Sequence, residues 1–130
     1  MKTRALITGV IALTLSPTSF AENWVSVGAS VSGSEFLVDT DSIVVEVGYV
    51  EYWITVDSKK DASVDYRETK ALRRAKCGQR RLATVYRVEY MPDGSNNSYG
   101  PWDYPTFSPA VPGSMGQAET EFVCAIANSS

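Results

Sequence analysis

From Leu82 to Tyr90 the chain alternates with a period of two. Leu82, Thr84, Tyr86, Val88 and Tyr90 point one way, and Ala83, Val85, Arg87 and Glu89 the other. Alternation over nine residues specifies a strand with one covered face. Cys77 stands just before this run, where a covalent tie can anchor it. The stretch from Cys77 to Tyr90 therefore makes the rest of the chain a small β-rich structure built around one strand.

The chain opens on a basic start, Lys2 and Arg4, followed by a mostly apolar run from Ala5 to Leu15. Pro17 and the small residues Ser19 and Ala21 follow. This pattern predicts a secretory signal peptide over residues 1–21, cleaved after Ala21. The apolar run is too short to span a bilayer, and no later stretch is long enough either. No cysteine follows it, so no lipid anchor is expected. Residues 22–130 remain as a single domain of 109 residues with 10 basic and 15 acidic side chains. A net charge of −5 favours solubility and argues against nucleic-acid binding. The expected location is the periplasm or the exterior, where disulfides persist. Cys77 and Cys124 are the only cysteines, and a single pairing is available to them.

Along the mature chain, Trp24–Val27, Glu35–Val38, Ile43–Val47 and Tyr49–Asp57 read as strands. Gly28–Ser34 is a small, polar loop. Asp39–Ser42 is a turn in which side chains bond to nearby backbone. Ser58–Asp61 reads as a solvated turn. Residues 66–76 are open between strand and helix on their own evidence: the helix formers are good, but the apolar face is thin. Pro92–Ser98 reads as a turn or loop, and the prolines of Gly100–Pro109 exclude helix and central strand. Ser114 and Gln117 form a capping box. Met115, Ala118, Phe122, Ala125 and Ile126 then share one side of a short C-terminal helix. Cys124 falls nearly opposite Phe122, so either a second element covers that side or the helix frays first.

The chemistry is mostly a set of exclusions. The chain has no histidine, which removes the usual base near neutral pH, histidine triads and most zinc sites. Two cysteines bonded to each other leave no thiol nucleophile. No phosphate-binding glycine loop occurs, and Asp93–Asn96 lacks the later acidic ligand of a calcium loop. No metal or cofactor is expected. Asp39, Asp41 and Glu51 are the carboxylates a remote hydrolase reading would use, and turn stabilisation is the simpler role for the first two. One charge feature stands out: Arg67, Lys70, Arg73, Arg74, Lys76, Arg80 and Arg81 put seven of the ten mature cations within fifteen residues. Such a run can meet an acidic partner, or it can protect a sheet edge as solvated surface. A strand there would split Arg73 from Arg74, and Arg80 from Arg81, across its faces. Trp102, Tyr104 and Phe107 either cover an edge of the core, the simpler role, or make a second candidate contact surface.

The order of several short segments resembles a known family. Trp24-Val25, Phe36-Leu37-Val38-Asp39, Asp41-Ser42-Ile43, the strand around Trp53, and Cys77 followed by Arg80 and Arg81 match it. Tyr86, Trp102, Pro112-Gly113-Ser114 and Cys124 complete the pattern. The whole mature chain is similar to the small exported family typified by surface-adhesin protein E of Gram-negative bacteria. The resemblance favours a strand for residues 66–76. It implies an antiparallel sheet with a C-terminal helix tied to it by a disulfide, which agrees with the reading of Cys77, Cys124 and the capped helix. The expected fold is thus α+β: five or six mainly antiparallel strands with one C-terminal helix stapled by Cys77–Cys124. The helix should present Met115, Ala118, Phe122 and Ile126 to Leu82, Tyr86 and Val88. The adhesin itself binds host matrix and plasma proteins and dimerises, so the resemblance implies a noncatalytic, adhesin-like binding module contacting a protein or acidic glycan, with a homodimer among its expected forms. The alternative is an envelope protein that only associates with itself. Its binding residues do not transfer to positions here.

Overall fold

The computed structural model describes residues 22–129; the predicted signal peptide lies outside them. Eight strands and one α-helix follow in order. They are β1 (Trp24–Ala29), β2 (Glu35–Asp39), β3 (Val44–Glu46), β4 (Tyr49–Asp57), β5 (Glu68–Lys76), β6 (Arg81–Tyr90), β7 (Asn96–Tyr99), β8 (Ser108–Pro109) and α1 (Met115–Asn128). Every pairing is antiparallel, and the main order is β1-β2-β4-β5-β6-β7. β3 continues along the edge of β4 that β2 leaves, and β8 pairs with the start of β6. The predicted α+β architecture holds, with more strands than the five or six expected.

The open question at residues 66–76 closes on strand. β5 is nine residues long and lies between β4 and β6, so its backbone is paired on both sides. Tertiary pairing overrides the helix propensity of its alanines, leucine and arginines. β7 was read as loop because Asn96, Asn97 and Ser98 are poor strand formers. They are held instead by pairing to Arg87–Tyr90, across a turn in which Asp93 accepts from the Ser95 amide at 2.9 Å and from its hydroxyl.

Register divides the sheet into two faces. On the covered face lie Val38, Tyr52, Ile54, Ala71 and Ala75, all fully or nearly fully buried. They meet Val123 and Cys124 of α1, with Val27, Phe36, Ile43, Cys77 and Phe122 around the rim. The small side chains of Ala71 and Ala75 let the helix come close. Gly116 sits over β6, where an added Cβ would lie 3.3 Å from Leu82 Cδ2.

Two expectations about facing change here. β6 has one extra residue against β5: Leu72 pairs with Tyr86, but Arg73 pairs with Thr84. This bulge at Val85 reverses the facing of everything beyond it. Leu82 and Thr84 therefore face the helix, whereas Tyr86, Val88 and Tyr90 face away. The helix itself begins where the capping signal put it, with Ser114 Oγ accepting from the Gln117 amide at 3.3 Å. The Gln117 side chain accepts from Gly113 N at 2.6 Å. Its buried side, however, is Glu119, Thr120, Val123 and Cys124, while Ala125 is exposed and Phe122 only half-buried. The apolar count placed the face wrongly because a carboxylate lies at its centre.

The helix does not fray before its cysteine. Cys124 bonds Cys77, which opens a 3-10 turn (Cys77–Gln79) between β5 and β6. That turn is the second element that covers the Cys124 side.

Candidate functional site

β5 positions most of the basic run, and its period of two sorts the cations. Lys70, Leu72, Arg74 and Lys76 face away from the helix, and Arg73 faces it. Arg73 is withdrawn from the surface. Its guanidinium donates to Glu119 Oε1 at 2.7 Å, with the arginine side chain 18% exposed and the glutamate 0%. The Tyr52 hydroxyl donates to the other oxygen, Glu119 Oε2. Burial, and then the Glu119 carboxylate beside it, push the Tyr52 phenol far above its ordinary value. Tyr52, Arg73 and Glu119 thus form a polar joint between sheet and helix. Only Arg73 of the three was singled out in the sequence, and as a surface residue.

The three outward cations share one arrangement. Lys70 Nζ lies 5.7 Å from the Trp24 ring centroid, Arg74 Cζ 4.5 Å from Tyr49, and Lys76 Nζ 4.3 Å from Phe107. Each ring comes from a different strand or segment: Trp24 from β1, two strands beyond β5's neighbour β4, Tyr49 from β4 itself, and Phe107 from the segment before β8. Arg74 also bonds Glu51 at 2.9 Å. Between the cations runs an apolar row, Trp53–Leu72–Tyr86, with the Trp53 and Tyr86 rings edge to face at 6.3 Å. All are half-buried. Rings beneath the cations hold flexible side chains in place while leaving their charge at the surface.

The remaining predicted residues are dispersed. Arg67 is exposed beyond the start of β5, about 30 Å of strand from Arg80 and Arg81 at its other end. Arg80 is exposed in the left-handed conformation, φ 52°, that closes the 3-10 turn. Arg81 reaches the Phe107 carbonyl at 3.5 Å. The aromatic trio divides as well: Phe107 carries Lys76, whereas Trp102 and Tyr104 are 46% and 95% exposed.

Two shallow clefts open on the described residues. One, of about 430 Å³, has Ser58, Asp61, Asp65 and Arg67 in its wall. The other, of about 380 Å³, lies between β6 and the Trp102–Ser108 segment. Neither is lined by Asp39, Asp41 or Glu51. Asp39 accepts from the Asn23 and Asp41 amides at 3.0 and 3.1 Å, the turn role read for it.

Asp61 was read in a solvated turn but is buried. Its carboxylate accepts from Ser34 Oγ at 2.6 Å, Ser32 Oγ at 2.8 Å, and the Ser63 amide and hydroxyl. Those bonds, the Ser34 and Ser63 hydroxyls foremost, hold it well below the usual carboxylate range. It ties the β1–β2 loop to the β4–β5 connection.

Residues 24–125 match the model of the family described as surface-adhesin protein E. Among solved structures, the chain is similar to crystal form II of Haemophilus influenzae protein E: TM-score 0.56, 17% identity, 78% of this chain and 88% of that one. A further structure of Haemophilus influenzae protein E gives a TM-score of 0.53 at 16% identity, over 73% and 80% of the two chains. Protein E from non-typeable Haemophilus influenzae gives 0.55 at 15%, over 88% and 83%. At these identities the likeness is one of fold. No curated protein matches the chain.

Proposed function

Since this chain belongs to the surface-adhesin protein E family, we propose that it is an exported, noncatalytic binding module whose contact surface is the open face of the sheet around β5. One observation carries the reading: Lys70, Arg74 and Lys76 each sit on a ring supplied by another element of the fold, beside the Trp53–Leu72–Tyr86 row. The aromatic row and Arg74 are side-chain types enriched at protein interfaces, and Lys70 and Lys76 add the charge that steers an acidic partner. Cations already ordered by rings lose less entropy when a partner binds. The preferred partner is a protein presenting an acidic patch. A sulfated glycan would need the charges but not the apolar row. Among the described residues no helix is long and apolar enough to cross a membrane.

The test compares the parent with a variant carrying Lys70→Gln, Arg74→Gln and Lys76→Gln. Both are passed over immobilised matrix and plasma proteins and over heparin, at low and high salt. Arg73 stays untouched, because altering it would break the buried joint. The proposal expects at least one protein to be captured with salt-sensitive affinity, and the variant to bind it at least about tenfold more weakly. Capture that the variant leaves unchanged removes this face from the account. Capture of heparin alone, lost in the variant, replaces the protein partner with an acidic glycan.

A further inference from the structure

We infer that the cleft between β6 and the Trp102–Ser108 segment is a second binding site, for a neutral pyranose saccharide. The chain after β7 runs back along the edge of β6 and is bonded to it near both ends of the segment. Trp102 N donates to Val85 O at 2.8 Å, and Ser108 pairs with Leu82. Between these points the segment arches away and leaves a shallow, open cleft of about 380 Å³. Leu82, Trp102 and Tyr104 are among the residues that line it.

Three properties define what fits. No charged side chain lines the cleft, so the ligand is neutral. Trp102 and Tyr104 are 46% and 95% exposed, and among the described residues no other ring stacks on either. Such rings offer flat apolar surface with a polar tip. The hydroxyls of Thr84, Thr106 and Ser108 line the same space, and none has a hydrogen-bond partner among the described residues. A hydroxyl both donates and accepts. A pyranose answers all three: one face of C–H groups to lie on a ring, and a rim of hydroxyls that also donate and accept. A proline-rich peptide would match the rings but offers mainly acceptors. Pro105 and Pro109 stiffen the arch, so the cleft needs little ordering on binding. The inference is independent of the β5 contact face.

Maltose, lactose and N,N′-diacetylchitobiose are each titrated into the 15N-labelled protein, with decaproline as the comparison. At least one saccharide should shift the amides of Thr84 and Thr106 saturably, with a Kd of about 1 mM. Tyr104→Ala, at a side chain too exposed to matter for folding, should weaken it about tenfold, as should Trp102→Ala. The double variant Lys70→Gln with Arg74→Gln, which leaves Lys76 on Phe107, should bind as the parent does. Three results overturn the inference: no saturation by any saccharide, shifts that survive Tyr104→Ala, or decaproline moving these amides where the saccharides do not.

Discussion

At Glu119, a carboxylate with no exposed surface has its two oxygens bound by partners from different strands. Removing it strands the Tyr52 hydroxyl and the Arg73 guanidinium in the joint. Glu119→Ala should therefore cost about 3–5 kcal/mol in urea denaturation. Replacing both charged partners, Arg73→Met with Glu119→Leu, in a Tyr52→Phe background that leaves no stranded hydroxyl, should cost clearly less. Burying the pair has its own desolvation cost, and Arg73 Nε already lacks a partner. If this combined variant is as unstable as the single, the joint is held by packing and not by polar pairing. Asp61 gives a second residue-scale prediction, with a defined sign. Its folded value is depressed, so its stabilisation is complete above the unfolded value and is lost as pH falls through that range. Between about pH 5 and 2 the parent should lose stability faster than Asp61→Asn, and the two curves should converge in acid. Parallel curves from denaturation at several pH values would show that the serine cage does not act on folding.

Among the elements, the helix depends on three attachments besides its cap: the Glu119 joint, the disulfide and the Val123 side. Cys77 and Cys124 close a loop of 47 residues. Opening it with the double serine variant should lower stability by about 4 kcal/mol, by the loop-closure argument. Val123 is fully buried and Phe122 only half so. Val123→Ala should cost about 2–3 kcal/mol, two methyl groups and the cavity they leave. Phe122→Ala should fall short of the 3–5 kcal/mol expected for an enclosed ring. A Phe122 cost well above that of Val123 would return the helix to the orientation its apolar residues suggest. That orientation shows where the sequence was and was not legible. The cap at Ser114, the cysteine tie and the strands from Trp24 to Asp57 follow from local chemistry, and local chemistry is visible in one segment. The helix phase and the bulge at Val85 are not. Glu119 reads as surface until Tyr52 and Arg73, far away in sequence, are brought to it. A bulge leaves a clean alternation on either side and shows only when the partner strand is laid down. β7 was hidden for the same reason, since its pairing and not its composition makes it a strand.

Across the whole molecule, the sheet separates two tasks. Its covered face carries the core, the buried joint and the disulfide. Its open face carries cations on rings, about 20 Å of them along β5 from Lys70 to Lys76. The basic run was legible as a run, but its rings come from β1, the start of β4 and the Trp102–Ser108 segment, so their partnership was not. The division makes a prediction about coupling. Each exposed cation–ring pair contributes about 0.5–1 kcal/mol. The triple glutamine variant should therefore lose no more than about 3 kcal/mol and remain folded, while losing most of its partner affinity. Glu119→Ala should do the reverse wherever it is still folded: a large loss of stability, with the affinity of the folded fraction close to the parent's. Measuring both variants for denaturation and for capture fills a two-by-two comparison. Stability and affinity falling together in both variants would mean that the open face is shaped by helix docking, and the sheet would then act as one coupled unit.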